Sequence, residues 1–303
     1  MPGDPLVIDS ISKSFGSVEA VCSLSAKLPP GCIYGFLGPN GAGKTTTIRM
    51  VMDIIHPDSG QLRVLGQSSI ETVRDRIGYM PEERGLYRKM SVKNVIAYLG
   101  SLHGMDKAGL DRAIPRWLER MELSDWGDKK VEELSRGMQQ KLQFIATVIN
   151  EPELLILDEP FSGLDPLNLD LLKNIVLGLR DEGRSVIFST HMMEQAERIC
   201  DYILLINNGQ KVIDGSLEQV RAQYKSNALL VELEGETDFI RKLPIVAGVK
   251  KEDRKLEVSL AGGADPQEFL KTIVDKVRVL SFEVKAPSLH EIFVQLVGGE
   301  ADE

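Results

Sequence analysis

The eight residues GPNGAGKT, 38–45, constrain this chain more than any other stretch. They follow a strand-like run, CIYGFLG (32–38), and lead into a helical pattern. The spacing G-x-x-x-x-G-K-[ST] in a strand–loop–helix setting is that of a phosphate-binding loop. Gly38, Asn40, Gly41, Ala42, Gly43, Lys44, Thr45 and Thr46 are therefore candidate nucleotide-binding residues. The glycines let backbone N–H groups turn inward around a phosphate, and the helix N-terminus adds positive potential. Lys44 is placed to reach the outer phosphates, and the Thr45 hydroxyl to bind Mg2+.

A second signal has the matching chemistry. ELLILDE (153–159) reads as a short buried strand that ends in two acids. Asp158, at the carboxyl end beside the loop, is a candidate Mg2+ ligand, directly or through water. Glu159 is a candidate general base for polarising an attacking water. Taken alone, two adjacent acids read more readily as a solvated strand end; the loop upstream is what gives them a task.

Strand-like runs alternate with helical patterns from about residue 5 to 214, SVIFST (185–190) among them. In LDLLKNIVLGL, Leu169, Leu172, Ile175, Val176 and Leu179 fall on one helical face. Strands buried on both sides and separated by helices specify an α/β core with a mostly parallel sheet. Residues from about 88 to 150 break this rhythm and read as a helical insertion. Its stripes are Val92, Val95, Ile96, Leu99 and Leu102; then Leu110, Ile114, Trp117, Leu118 and Met121, with Pro115 starting or kinking that helix; then Leu142, Ile145, Ala146 and Ile149. Past NNGQKVIDGS the pattern changes to alternating KLEVSL and LSFEVK, each followed by a helical stretch. The expected division is a domain over 1–216 and a small α+β domain over 217–303.

The net charge of −9, with scattered Lys and Arg, argues against a broad nucleic-acid-binding face, and no nucleic-acid partner is expected. Cys22, Cys32 and Cys200 match no metal spacing and read as reduced, buried thiols. No apolar run has the length of a membrane span, and the N-terminus lacks the basic and apolar segments of a signal peptide.

LSRGMQQ (134–140), about twenty residues before LILDEP, is followed by SGLD (162–165) and by His191 after a strand. With the loop and the paired acids, this ordered set over about residues 5–215 resembles the ATP-binding-cassette (ABC) ATPases. The resemblance implies a P-loop NTPase of the ABC type, carrying the helical insertion and an added C-terminal α+β domain. It implies ATP and Mg2+ as substrate and cofactor. The family usually has LSGGQ where this chain has Leu134, Ser135, Arg136, Gly137 and Met138. In the family that segment closes over ATP held by a second cassette, which implies roles for Ser135 and Gly137; Ser135 is also a plain helix cap. Asp165 matches the loop lining the cassette interface. His191 matches the residue that contacts the γ-phosphate and positions water and Glu159. Phe15 matches the aromatic that stacks on adenine, or is simply an edge-strand residue. Glu82, in IGYMPEERGLY (77–87), stands where the family usually has Gln. Its carboxylate is a candidate for Mg2+ or water, or for pairing with Arg84 or Arg88.

These features together resemble the ATPase subunits of bacterial drug- and ion-export systems. They imply a cytoplasmic ATPase, peripheral on the inner face of the membrane, partnered by a polytopic permease subunit and a second cassette. The surface around Gly85–Met90 would receive a short helix of that permease. The competing class is a soluble ABC-type ATPase acting on DNA or the ribosome, but such proteins usually carry coiled-coil arms or two cassettes. The C-terminal domain is open to a role in dimer stability, regulation or contact with the membrane partner.

Overall fold

The structure, a computed structural model, describes residues 3–83, 85–224, 228–252, 255–262 and 264–298. The tail after residue 298 and Arg84, named above as a partner for Glu82, lie outside the described residues. The chain separates into two units, one ending at Leu217 and the other beginning at Glu218.

The first unit runs β1 (Leu6–Phe15), β2 (Val18–Leu28), β3 (Ile33–Leu37), α1 (Lys44–Val51), β4 (Ser59–Val64) and β5 (Ile77–Met80). Three helices follow, α2 (Val92–Leu102), α3 (Lys107–Arg120) and α4 (Arg136–Val148). The α/β alternation then resumes with β6 (Leu154–Asp158), α5 (Pro166–Asp181), β7 (Ser185–Thr190), α6 (Met193–Ile199), β8 (Tyr202–Asn207) and β9 (Gln210–Ser216).

A six-stranded sheet has the order β5-β6-β7-β3-β8-β9, parallel except for β9 at one edge. Every residue of β3, β6 and β7 is buried, which is why those strands read as unbroken apolar runs rather than alternating ones. A separate antiparallel sheet, β2-β1-β4, is an architecture the sequence reading did not separate from the parallel one. One core joins Leu6, Ile11 and Leu24 of that sheet to Ile48 and Val51 of α1 and to Phe36, Ile156 and Ile187 of the larger sheet. The loops after β3, β6 and β7 thus open at the carboxyl ends of three adjacent strands, where ligands bind in open α/β sheets.

The inserted helices start at side-chain caps: the Ser91 oxygen accepts from Asn94 N–H at 3.3 Å and Asp106 from Gly109 N–H at 2.8 Å. Pro115 lies inside α3 and does not start it. Leu102 is 62% exposed and drops out of the expected α2 stripe; Val92, Val95 and Ile96 carry the burial.

The second unit contains α7 (Leu217–Gln223) across its boundary, then β10 (Ala228–Glu234), β11 (Val246–Glu252), β12 (Lys255–Leu260), α8 (Pro266–Val274), β13 (Arg278–Val284) and α9 (Leu289–Gly298). The strands form an antiparallel sheet in the order β11-β12-β10-β13, with Leu229, Val231, Val258, Phe269 and Ile273 in its core. The expected alternation of Leu280, Phe282 and Val284 fails here. Glu232 pairs with Ser281 but Leu233 pairs with Val279, so Leu280 is an extra residue. This bulge changes which residues face inward: Val279 and Phe282 pack on the core, and Leu280 is half exposed.

All three cysteines are free. Cys32 and Cys200 are buried, but Cys22 is only half-buried, against the expectation of three buried thiols. Burial pushes the Cys32 thiol from 9.0 up to about 12 and raises Cys200 as well. Since the thiolate is the reactive form, the native protein should show at most one reactive thiol, Cys22, to Ellman's reagent at pH 8, and three after denaturation. The raised Cys32 value also makes the thiol a source of alkaline instability. Its contribution is complete below pH 9 and is lost as pH rises toward about 12, because only the unfolded thiol ionises in that window.

Candidate active site

The loop after β3 is shaped by close approach. Gly38 has φ +147°, and a Cβ there would lie 2.1 Å from the Ile206 carbonyl oxygen of β8. Gly43, which precedes α1, has φ +107°, and its Cβ would lie 2.5 Å from the Ala20 carbonyl oxygen. Both positions require glycine; Gly41 meets nothing within 4 Å and needs it only for φ +82°. No side chain caps α1, so the N–H groups of its first turn are left for solvent or a bound anion. Asn40 is exposed at the loop tip, Ala42 is buried, and Thr45 and Thr46 are half-buried on the first turn.

Lys44 is buried, and its ammonium donates to the carbonyls of Gly38 at 2.7 Å and Pro39 at 3.0 Å. Burial lowers its pKa, while the carboxylates of Glu159, Asp158 and Glu82 oppose that shift. These four groups, read separately from the sequence, therefore share one electrostatic neighbourhood. Asp158 is buried, and burial raises its carboxyl; hydroxyls of Ser189 and Thr45 pull it down, Glu159 raises it and Lys44 lowers it. Asp158 Oδ1 accepts from the Ser189 hydroxyl, whereas Oδ2 is buried with no hydrogen-bond partner. An orphaned carboxylate oxygen beside a threonine hydroxyl fits Mg2+, which takes one or two protein oxygens and fills its octahedron with phosphate and water.

Glu159 adopts φ +48°, a left-handed conformation uncommon for a residue with a side chain. Its amide donates to both the carbonyl and the hydroxyl oxygen of Ser189, each at 3.2 Å. Its Oε1 accepts from the His191 N–H at 3.1 Å and from ring Nδ1 at 2.9 Å, and Oε2 accepts from the Thr190 hydroxyl at 3.4 Å. The acid after β6 and the histidine after β7 are thus directly bonded.

The remaining expected residues lie elsewhere on the first unit. Ser135 caps α4, its oxygen accepting from Met138 N–H at 3.3 Å. A Cβ on Gly137 would meet only ordinary contact, with Leu164 Cδ2 at 3.5 Å, so packing within this chain does not require glycine there. Asp165 caps α5 and accepts from Asn168 N–H at 3.0 Å; those Asn168 bonds hold its carboxyl below the usual range. Phe15 is 51% exposed at the end of β1, with the Lys13 ammonium 5.7 Å from its ring centre. Glu82 is exposed and lines a cleft with Leu86, Arg88, Val131, Arg136 and Gln139; among the described residues it makes no ion pair with Arg88.

Sequence reasoning missed three side chains that organise these loops. One is Ser189. The others are Gln140 and Gln143 of α4, whose amides donate to Pro160 O at 3.0 Å and to Pro81 O at 2.8 Å. The available signal was the spacing of Gln140 and Gln143, three residues apart and so on one side of α4, where both are buried.

Gly38→Ala should destabilise the first unit by more than the roughly 1–3 kcal/mol of a strained backbone alone, because the added methyl also strikes a fixed carbonyl. Urea unfolding followed by the fluorescence of Trp117 and Trp126 reads this directly, and an unchanged transition would contradict the close approach.

Residues 21–162 match the family described as ABC transporter, and residues 215–297 match that described as ATP-binding protein DrrA1-3-like, C-terminal domain. Phe15 and His191 lie outside the first matched stretch. The chain is 39% identical to an uncharacterized ABC transporter ATP-binding protein of Bacillus subtilis, over 97% of this chain and 98% of that one. It is 30% identical to the Nod factor export ATP-binding protein I of Burkholderia lata, over 99% of each. A solved ATP-binding subunit of an ABC transporter superposes with a TM-score of 0.68 at 28% identity, covering 72% of this chain and 92% of that one. By its sequence, its fold and the loops that fold brings together, the chain belongs to the ABC transporter ATP-binding proteins, a family of ATPases.

Proposed function

We propose that this chain hydrolyses Mg-ATP in a site shared between two cassettes, and so drives a separate polytopic membrane subunit that exports its substrate. The observation that carries the reading is the meeting of Lys44, Thr45, Asp158, Glu159 and His191 at the carboxyl ends of β3, β6 and β7. Full-length similarity to a Nod factor export ATP-binding protein supports the export direction. No helix among the described residues is long and apolar enough to cross a membrane, in keeping with transport through a partner. The chain would then sit on the cytoplasmic face, held there by the permease, with the region 85–90 as the proposed docking surface.

In this reading each residue has a distinct part. The loop N–H groups and Phe15 hold the nucleotide's phosphates and base, and Lys44 exchanges its two carbonyl partners for phosphate oxygens. Thr45 and the free oxygen of Asp158 would hold Mg2+, with Glu82 as a further oxygen donor to it or to its water. When bound, Mg2+ supplies neutralisation of the charge on the β- and γ-phosphate oxygens. Glu159 takes the proton of the attacking water, and His191 orients that carboxylate through the Nδ1 bond and contacts the γ-phosphate. Ser135, Gly137 and Asp165 act across the cassette interface. The lack of any intrachain need for glycine at 137 supports that assignment.

Glu159→Gln should retain ATP binding while lowering turnover by about 10²–10⁴-fold, the range of general-base catalysis. Nucleotide binding and phosphate release measured in parallel separate the two effects, and full turnover would remove Glu159 as the base. Ser135→Arg should abolish hydrolysis while monomeric ATP binding survives. Equal loss of both would leave Ser135 as a helix cap alone.

A further inference from the structure

Ser189 is fully buried on β7, which lies between the strand of the phosphate loop and the strand of the paired acids. Parallel register sets it opposite Phe36 of β3 on one side and Asp158 of β6 on the other. Its hydroxyl makes two bonds of opposite sense: it donates to Asp158 Oδ1 and accepts from the Glu159 N–H at 3.2 Å. A carboxylate can only accept and an amide N–H can only donate, so the single hydroxyl proton has one satisfying direction. That direction ties Oδ1 to the sheet and leaves Oδ2, the oxygen without a protein partner, as the one directed elsewhere. The same oxygen, with the Ser189 carbonyl, holds the Glu159 amide while that residue keeps its left-handed φ of +48°.

From this we infer that Ser189 is a positioning residue for the ATPase reaction. One hydroxyl fixes which carboxylate oxygen of Asp158 is offered to the metal, and at the same time fixes the backbone that aims Glu159. Neither task is assigned to it by the motif set. The inference rests on the proposed roles of Asp158 and Glu159 and adds to them a single shared support. Partners that orient a metal-binding carboxylate typically change metal affinity by about 10–100-fold when removed.

The test measures Mn2+ binding to the full chain saturated with a non-hydrolysable ATP analogue, by the electron paramagnetic resonance of free Mn2+, for the wild type, Ser189→Ala, Ser189→Thr and Asp158→Asn. Ser189→Ala should weaken Mn2+ binding about 10–100-fold and lower kcat, with little change in the affinity for metal-free analogue. Ser189→Thr, which keeps the hydroxyl, should recover most of the Mn2+ affinity. A thermal melt of each variant identifies folded protein, and general loss of packing would lower analogue and Mn2+ binding together. If Asp158→Asn loses Mn2+ affinity but folded Ser189→Ala does not, the role of Ser189 is overturned and that of Asp158 stands. If Asp158→Asn binds Mn2+ like the wild type, the underlying assignment of Asp158 fails, and the Ser189 inference with it.

Discussion

A buried ammonium has to be compensated, and the first unit is organised around the compensation of Lys44. Its charge is taken from water by the loop and the sheet edge, then met by two loop carbonyls and by three carboxylates from two other parts of the chain, the adjacent Asp158 and Glu159 and the more distant Glu82. Supplying those carboxylates requires β6 to end one strand away from β7 and two from β3, and requires the loop at Glu82 to fold back toward the same edge. The sheet order thus follows from where charge must be delivered as much as from where apolar surface must be hidden.

The α4 helix links these loops mechanically. It begins at the Ser135 cap and carries two buried glutamines that hold the chain at Pro81 and at Pro160, beside Glu82 and Glu159 respectively. A shift of the helix as a body would therefore reach both loops through hydrogen bonds, without relying on the softer apolar contacts between them. Glu82 and Arg136, the two residues that depart most in charge from the family's usual pattern, line one cleft. Opposite charges facing one space give the loop and the helix start an attraction that a Gln and Gly pair would lack.

What could be read from the sequence was local. The loop at 38–45 and the acids at 158–159 have a chemistry set by immediate neighbours, and they stand where strand ends were expected. Ser189 was not legible, because its partners are fixed by parallel register across about thirty residues of intervening chain. The bulge at Leu280 was hidden for the opposite reason: LSFEVK alternates cleanly, and only pairing with β10 shows that one residue is skipped. Pro115 likewise read as starting or kinking its helix; it does not start it, because Asp106 caps the helix earlier and burial of Leu110, Ile114 and Trp117 holds it past the proline.

The left-handed backbone of Glu159 carries an evolutionary consequence. A non-glycine residue in that region stores strain, on the order of 1–3 kcal/mol, that glycine would not. Selection for stability alone would drift this position toward glycine, the residue that relaxes such a turn most fully while erasing the carboxylate. Retaining glutamate there means the chain tolerates a locally weaker turn for the sake of a side chain, and any stability-guided redesign of this protein would be drawn to remove it.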